Sequence, residues 1–100
     1  MYVIELDRAV LDIRRFREAN PGCDPAKPCL YVGMTSRTPN ERFAQHKAGY
    51  KASRYVKKYG TLVRHDLGYR YNPLTYEEAC KIEVGLAKRL RRQGHAVWQQ

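Results

Sequence analysis

Residues 29–48 read CLYVGMTSRTPNERFAQHKA and contain the pattern of a strand, a turn and a helix, in that order. The apolar run Cys29–Gly33 ends at a glycine, which is typical of a short strand. Thr38 and Glu41 follow as a capping box around a proline, and Gly49 is expected to end the helix. This stretch therefore predicts a fold that combines a sheet with helices.

The segments on either side extend this pattern over the whole chain. Residues 2–6 predict a strand, and residues 7–19 predict an amphipathic helix that Asp7 caps. Further along, residues 51–59 predict a short helix, residues 61–67 a third strand, residues 68–74 a loop, and residues 75–93 the longest helix, which Thr75 caps. The segment after Gly94 is either a terminal strand or a tail. A chain of 100 residues with three or four short strands predicts one small α+β domain over residues 1–100.

The charge of the chain is uneven along the sequence. The net charge is +9, yet residues 1–36 are neutral, so the whole excess of Lys and Arg lies in residues 37–100. A basic field of this size attracts polyanions, above all nucleic acid. A solvated surface without a partner is the alternative interpretation.

The three cysteines, Cys23, Cys29 and Cys80, have no CxxC spacing, and the start of the chain lacks the apolar region of a signal peptide. Reduced thiols in the cytoplasm are therefore expected, rather than a disulfide scaffold. No apolar run approaches the roughly 20 residues of a membrane-spanning helix, so no membrane partner is expected.

Glu83 is the most informative single residue of the last predicted helix. On a helical wheel it lies inside the apolar stripe that Ala79, Ile82, Leu86 and Leu90 form. A buried carboxylate needs a cation, because leaving it unpaired costs several kcal/mol, on the order of the desolvation penalty. Either an internal salt bridge or a bound metal ion would meet this need.

Arg42 and His46 lie four residues apart on the helix that Thr38 opens, so both side chains point from one face. A guanidinium and an imidazole one turn apart can hold a phosphodiester, since arginine offers a bidentate fork and histidine carries a proton. The alternative is a solvated helix face with an isolated histidine.

Two tyrosines lie on the predicted strands, and pairing of those strands would bring Tyr2 close to Tyr31. Gly33 shares a sheet face with Tyr31, which leaves room for backbone or a ligand to approach. A phenol with a pKa of about 10 is a poor base at neutral pH, and nearby cations are expected to lower its pKa. Tyrosines that serve only as sheet and core residues are the commoner case.

Taken in order, these residues resemble the GIY-YIG nuclease domain. The resemblance rests on Tyr2-Val3-Ile4, on Leu30-Tyr31-Val32-Gly33, on Arg42 with His46, and on Glu78-Ala79 followed by Glu83. It implies a small antiparallel sheet flanked by helices and metal-dependent hydrolysis of DNA phosphodiester bonds. It also implies that the catalytic residues are Tyr2, Tyr31, Arg42, His46 and Glu83.

The resemblance assigns a role to each of these residues. The phenols position the attacking water and help to deprotonate it, Arg42 holds the phosphate, and Glu83 holds the divalent ion. Oxygen ligands and retained waters suit Mg²⁺, and Mn²⁺ should substitute for it. Six basic residues would contact the DNA backbone: Arg37, Lys47, Lys51, Arg54, Lys57 and Lys58.

Two other functions stay open at this point. The chain could be a basic module that binds nucleic acid without hydrolysis, with Glu83 in a salt bridge to Arg42, or a protein-interaction domain whose charge is incidental. A chain of this length leaves little room for a second domain that reads the target. Dimerisation or a partner protein that supplies specificity is therefore compatible with the sequence.

Overall fold

The computed structural model describes residues 1–68 and 75–99, and its centre is a four-stranded sheet. The strands are β1 (Tyr2–Leu6), β2 (Cys29–Gly33), β3 (Gly60–Val63) and β4 (Ala96–Gln99), in the spatial order β3-β1-β2-β4. Strand β1 pairs antiparallel with β2 and with β3, whereas β4 runs parallel to β2. The α+β fold with a small sheet flanked by helices is thus confirmed. The sheet is mixed: β1 pairs antiparallel with both β2 and β3, and β4 pairs parallel with β2.

The helices are a 3₁₀ helix (Arg8–Asp12), α1 (Arg14–Glu18), α2 (Pro39–Ala48), α3 (Arg54–Tyr59) and α4 (Tyr76–Arg92). The three predicted capping residues accept backbone hydrogen bonds at helix starts, and Asp7 accepts one from Ala9 at 2.8 Å at the start of the 3₁₀ helix. Thr38 accepts a hydrogen bond from the backbone N–H of Glu41, and Thr75 accepts one from that of Glu78, each at 3.1 Å. Among the described helices, none combines the length and the apolar character needed to cross a bilayer.

The parallel pairing of β4 follows from the helix that precedes it. Because β3 and β2 are both antiparallel to β1, they run in the same direction. Helix α4 then crosses the sheet and delivers β4 in that same direction, as parallel connections generally require. The last predicted segment is therefore a strand and not a tail.

The sheet is covered on both faces, and the alternation of side chains decides which residues share a face. Tyr2 and Tyr31 lie on the face that packs against Phe16 of α1 and Val56 of α3. The opposite face carries a separate cluster, in which Val3, Leu30, Val32 and Val97 of the sheet pack against Leu86, Ala87 and Leu90 of α4. The two tyrosines therefore point to the side of the sheet that α2 and α3 occupy.

Three predicted elements have different bounds in the structure. The helix predicted over residues 7–19 is divided at Ile13, whose backbone is extended (φ −81°, ψ 117°). Its apolar residues recur every three positions, which fits the tighter 3₁₀ turn better than an α-helix. The helix predicted over residues 51–59 begins at Arg54, because Lys51 has a left-handed backbone (φ 44°). The third strand ends at Val63. The loop predicted over residues 68–74 falls almost wholly on residues 69–74, which lie outside the described part.

Asn20 holds β4 in place through a buried side-chain amide, which no sequence pattern indicated. Its Oδ1 accepts from the backbone N–H of Val97 at 2.8 Å, and its Nδ2 donates to the carbonyl of the same residue at 3.1 Å. The amide thus takes the place of a neighbouring strand. Arg91 of α4 also donates to the Asn20 oxygen, so the same amide connects α4 with β4.

Candidate active site

Tyr2 lies directly opposite Gly33 in the β1–β2 ladder, two positions from Tyr31. The two phenol rings have centroids 6.3 Å apart, so strand pairing brings them together as predicted. A Cβ atom at position 33 would stand 2.5 Å from the hydroxyl oxygen of Tyr2 and 2.6 Å from its Cζ. Gly33 therefore makes room for the ring of Tyr2, not for a ligand or for backbone.

Gly33→Ala is expected to displace the Tyr2 ring, because a side-chain carbon cannot occupy that space. We expect a loss of about 1–3 kcal/mol in the free energy of unfolding, measured by urea titration. Gly22→Ala is the matched control, since a Cβ there meets nothing within 4 Å. Equal stabilities of the two variants would contradict this packing.

His46 is buried beneath the two phenols, with only 1% of its surface exposed. Its Nε2 lies 2.9 Å from the hydroxyl of Tyr2, and its Nδ1 accepts the backbone N–H of Ser53 at 2.9 Å. Burial, together with the charge of Arg42, lowers the pKa of His46 to about 4. His46 is therefore neutral at physiological pH, and it is not an isolated histidine on a solvated face.

Arg42 is held by the loop that follows α2. Its Nη2 donates to the carbonyl of Lys51 at 2.8 Å, and its Nη1 donates to the carbonyl of Tyr50 and to Oε1 of Gln45, both at 3.2 Å. These acceptors orient the guanidinium without neutralising it. Within residues 1–68 and 75–99, none of the ion pairs involves Arg42. Its charge is thus available to an anion beside the phenols.

Burial dominates the ionisation of both tyrosines. It raises the pKa of Tyr2 and of Tyr31 above the ordinary value, although the charge of Arg42 lowers both pKa values. The expectation that nearby cations would lower the tyrosine pKa is therefore wrong in net direction. The reason is that desolvation of a phenolate outweighs the single cation beside it. Both phenols are protonated in the free protein at neutral pH.

Glu83 lies on α4 with 4% of its surface exposed, as the helical wheel predicted. Its Oε2 has no hydrogen-bond partner, and burial raises the pKa of its carboxyl to about 7, an effect that the α-amino group of Met1 partly opposes. Its charge also raises the pKa of Tyr31, although α4 packs against the opposite face of the sheet and no hydrogen bond among the described residues joins the carboxyl to that phenol. No lysine or arginine of the described chain forms an ion pair with Glu83. The salt bridge to Arg42 is therefore not among the observed contacts.

A buried carboxylate oxygen without a partner is the kind of group that a divalent cation satisfies. In the described part of the chain, no cluster of three or more His, Cys, Asp or Glu side chains could enclose a metal ion. Glu83 would thus be the main protein ligand, and most other positions would be left to water and substrate oxygens. Mg²⁺ tolerates this arrangement well, because it keeps several waters and takes few carboxylates.

The six predicted DNA-contacting residues lie on exposed parts of the surface, but several of their charged groups are engaged by the protein. The ammonium of Lys47 donates to the carbonyls of Lys57 and Gly60. Arg37 forms an ion pair with Glu41 at 3.7 Å. Two others lie over neighbouring rings, Lys51 over Tyr50 and Lys58 over Tyr59, while Arg54 and Lys57 are exposed on α3.

An open groove of about 740 Å³ includes Tyr2 among its lining residues, although the Tyr2 side chain is buried with its hydroxyl against His46. One wall is the loop that contains Thr35, Ser36 and Arg37, and the other contains Arg64. Arg64 is neutralised, because it pairs with Glu5 at 2.9 Å and with Asp66 at 2.8 Å. Tyr2 is the one catalytic candidate among the described lining residues, whereas Tyr31, Arg42, His46 and Glu83 do not line the groove.

Ser53 is the site residue that the sequence analysis missed. It precedes α3 and contacts His46 through its backbone N–H. A serine ahead of a short helix predicts only a cap, so nothing in the sequence pointed to this contact.

No protein-family model, curated protein or solved structure matches this chain. Its function is therefore inferred from the geometry of the site together with the resemblance of its motifs.

Proposed function

We propose that this chain is a metal-dependent endonuclease of the GIY-YIG type that hydrolyses phosphodiester bonds in DNA. The observation that carries the proposal is the buried carboxyl of Glu83, whose Oε2 has no hydrogen-bond partner. A purely structural glutamate would be expected to bond to a cation of the chain.

Arg42 would hold the non-bridging oxygens of the scissile phosphate. Its uncompensated charge lies beside Tyr2, where negative charge would accumulate as the attacking oxygen approaches. Preorganised donors of this kind stabilise the transition state more than the ground state. Because the loop carbonyls already fix the guanidinium, little reorganisation would be needed.

Tyr2 and Tyr31 would orient the attacking water. Because both phenols are protonated in the free protein, either one would accept the water's proton only after releasing its own proton to solvent. Arg42 favours the phenolate of both residues, which opposes the effect of burial on their pKa. His46 would support this pair through its contact with the hydroxyl of Tyr2.

Glu83 would hold Mg²⁺, or Mn²⁺ in its place. When bound, the ion would neutralise charge on the phosphate and on the leaving oxygen. The raised pKa of Glu83 fits this role, since a desolvated carboxyl is stabilised in its ionised form by a cation.

The basic surface around α2 and α3 would bind the DNA backbone without reading its sequence. Arg54 and Lys57 are exposed, and none of the ion pairs of the described residues involves them, whereas the engaged lysines would contribute less. The three free cysteines fit a reducing compartment, and we place the protein in the cytoplasm. Cutting of both strands would need a second copy of the chain or a second encounter.

The proposal is tested by incubation of the purified protein with supercoiled plasmid, with Mg²⁺, with Mn²⁺ and with EDTA. Nicked or linear DNA is expected only with metal. Salt-dependent binding without nicking under any metal would favour the non-catalytic binding module. Absence of DNA binding would favour the protein-interaction domain.

A further inference from the structure

Ser53 contacts the site through its backbone. Its backbone N–H donates to Nδ1 of His46 at 2.9 Å. Its side chain makes no capping hydrogen bond to α3, although serine at this position usually does.

This contact decides which nitrogen of His46 carries the proton. A backbone N–H always donates, so Nδ1 must offer its lone pair and cannot be protonated. Neutral imidazole has one N–H group, which must then lie on Nε2. Because Nε2 is 2.9 Å from the hydroxyl oxygen of Tyr2, His46 donates a hydrogen bond to that oxygen.

We propose that Ser53 is a positioning residue that fixes His46 in the Nε2–H tautomer, so that His46 acts as a hydrogen-bond donor to Tyr2 and not as a proton acceptor. Both ring nitrogens are then occupied, and His46 has no lone pair for the phenolic proton. Tyr2 receives a donor that favours its phenolate. The inference rests on the proposed function only for its catalytic consequence, since the tautomer is a property of the free protein.

The tautomer is tested directly by a long-range ¹H–¹⁵N correlation spectrum of the imidazole groups at about pH 7. We expect the Nε2–H pattern for His46 in the native chain. Ser53→Pro removes the backbone N–H, and the φ of −70° at this position suits proline. This variant is expected to lose the single tautomer. Ser53→Ala is the matched control, because it keeps the N–H and should keep the native pattern.

A protonated Nδ1 in the native chain would overturn the proposal, as would an unchanged tautomer in a folded Ser53→Pro variant. Thermal unfolding followed by circular dichroism shows whether that variant is folded. The spectrum of the native chain and the tests with His46 variants do not depend on whether Ser53→Pro is folded.

The donor role is tested by His46→Gln, whose amide nitrogen can replace Nε2–H but cannot accept a proton at neutral pH. In the plasmid assay, we expect His46→Gln to stay within about tenfold of the native rate and His46→Ala to lose about 10²-fold. Equal loss in both variants would show that His46 accepts a proton. A native chain that has the Nε2–H tautomer but cleaves no DNA would refute the proposed function and leave the tautomer assignment intact.

Discussion

Glu83→Gln should abolish plasmid nicking while DNA binding and the fold survive. Glutamine has nearly the same shape as glutamate, but its amide is a far weaker metal ligand. The loss of the carboxylate charge is expected to reduce the nicking rate by about 10³-fold or more. Gel-shift titration should give similar DNA affinity for both proteins, because the exposed basic residues are unchanged.

The same variant has a second expected effect, on stability. The pKa of the Glu83 carboxyl is about 7 in the folded protein against an ordinary 4.5. A raised carboxyl pKa means that the native state prefers the protonated form. Its contribution to stability is therefore complete below 4.5 and is lost as the pH rises through about 7. A shift of this size corresponds to roughly 3 kcal/mol.

Relative to Glu83→Gln, the native chain should therefore lose stability between about pH 5 and pH 8 in EDTA, as measured by urea unfolding. Addition of Mg²⁺ at the higher pH should restore stability to the native chain alone, because only a metal that binds the folded state shifts the equilibrium. Glu77→Gln on the exposed side of α4 is the control and should change neither property. If both proteins respond to pH and to Mg²⁺ in the same way, Glu83 is not the metal ligand.

Local chemistry made much of the fold predictable. The strands β1 and β2 have the predicted bounds, and the caps at Thr38 and Thr75 begin α2 and α4 where expected. Gly49 ends α2 with the left-handed backbone that glycine favours (φ 87°). In each case a few adjacent residues settle the structure, so a single sequence is sufficient.

The remaining features depend on contacts between distant residues. The amide of Asn20 takes the place of a strand beside Val97, and the ammonium of Lys47 binds carbonyls at the end of α3. Ser53 reaches His46 only because the turn after Gly49 folds α3 back onto α2. None of these contacts has a periodic signal, because each partner is fixed by the tertiary fold.

The same distinction applies to the site. The burial of Glu83 was predictable because four apolar neighbours share its helix face. The net effect on the tyrosine pKa was not predictable, since it depends on how deeply the helices bury the sheet face that carries Tyr2 and Tyr31. Motif spacing identified the side chains that meet, whereas the packing around them determines their charge.

Arg42→Lys tests whether the guanidinium acts as a fork or only as a positive charge. Lysine keeps the charge but offers a single ammonium, so it cannot hold the carbonyls of Tyr50 and Lys51 and a phosphate at once. We expect the nicking rate to fall by about 10²–10³-fold, which is the usual loss for one preorganised transition-state donor. Plasmid affinity in a gel shift should change little, because the net charge is the same.

Arg14→Lys is the matched control for this substitution. Arg14 is exposed on α1 and pairs with Glu18 at 2.7 Å, away from the phenols. Exposed ion pairs of this kind contribute about 0.2–1 kcal/mol, so this variant should nick at the native rate. Full activity in Arg42→Lys would show that the site needs only a cation, because a lysine cannot reproduce the planar two-point contact to phosphate oxygens.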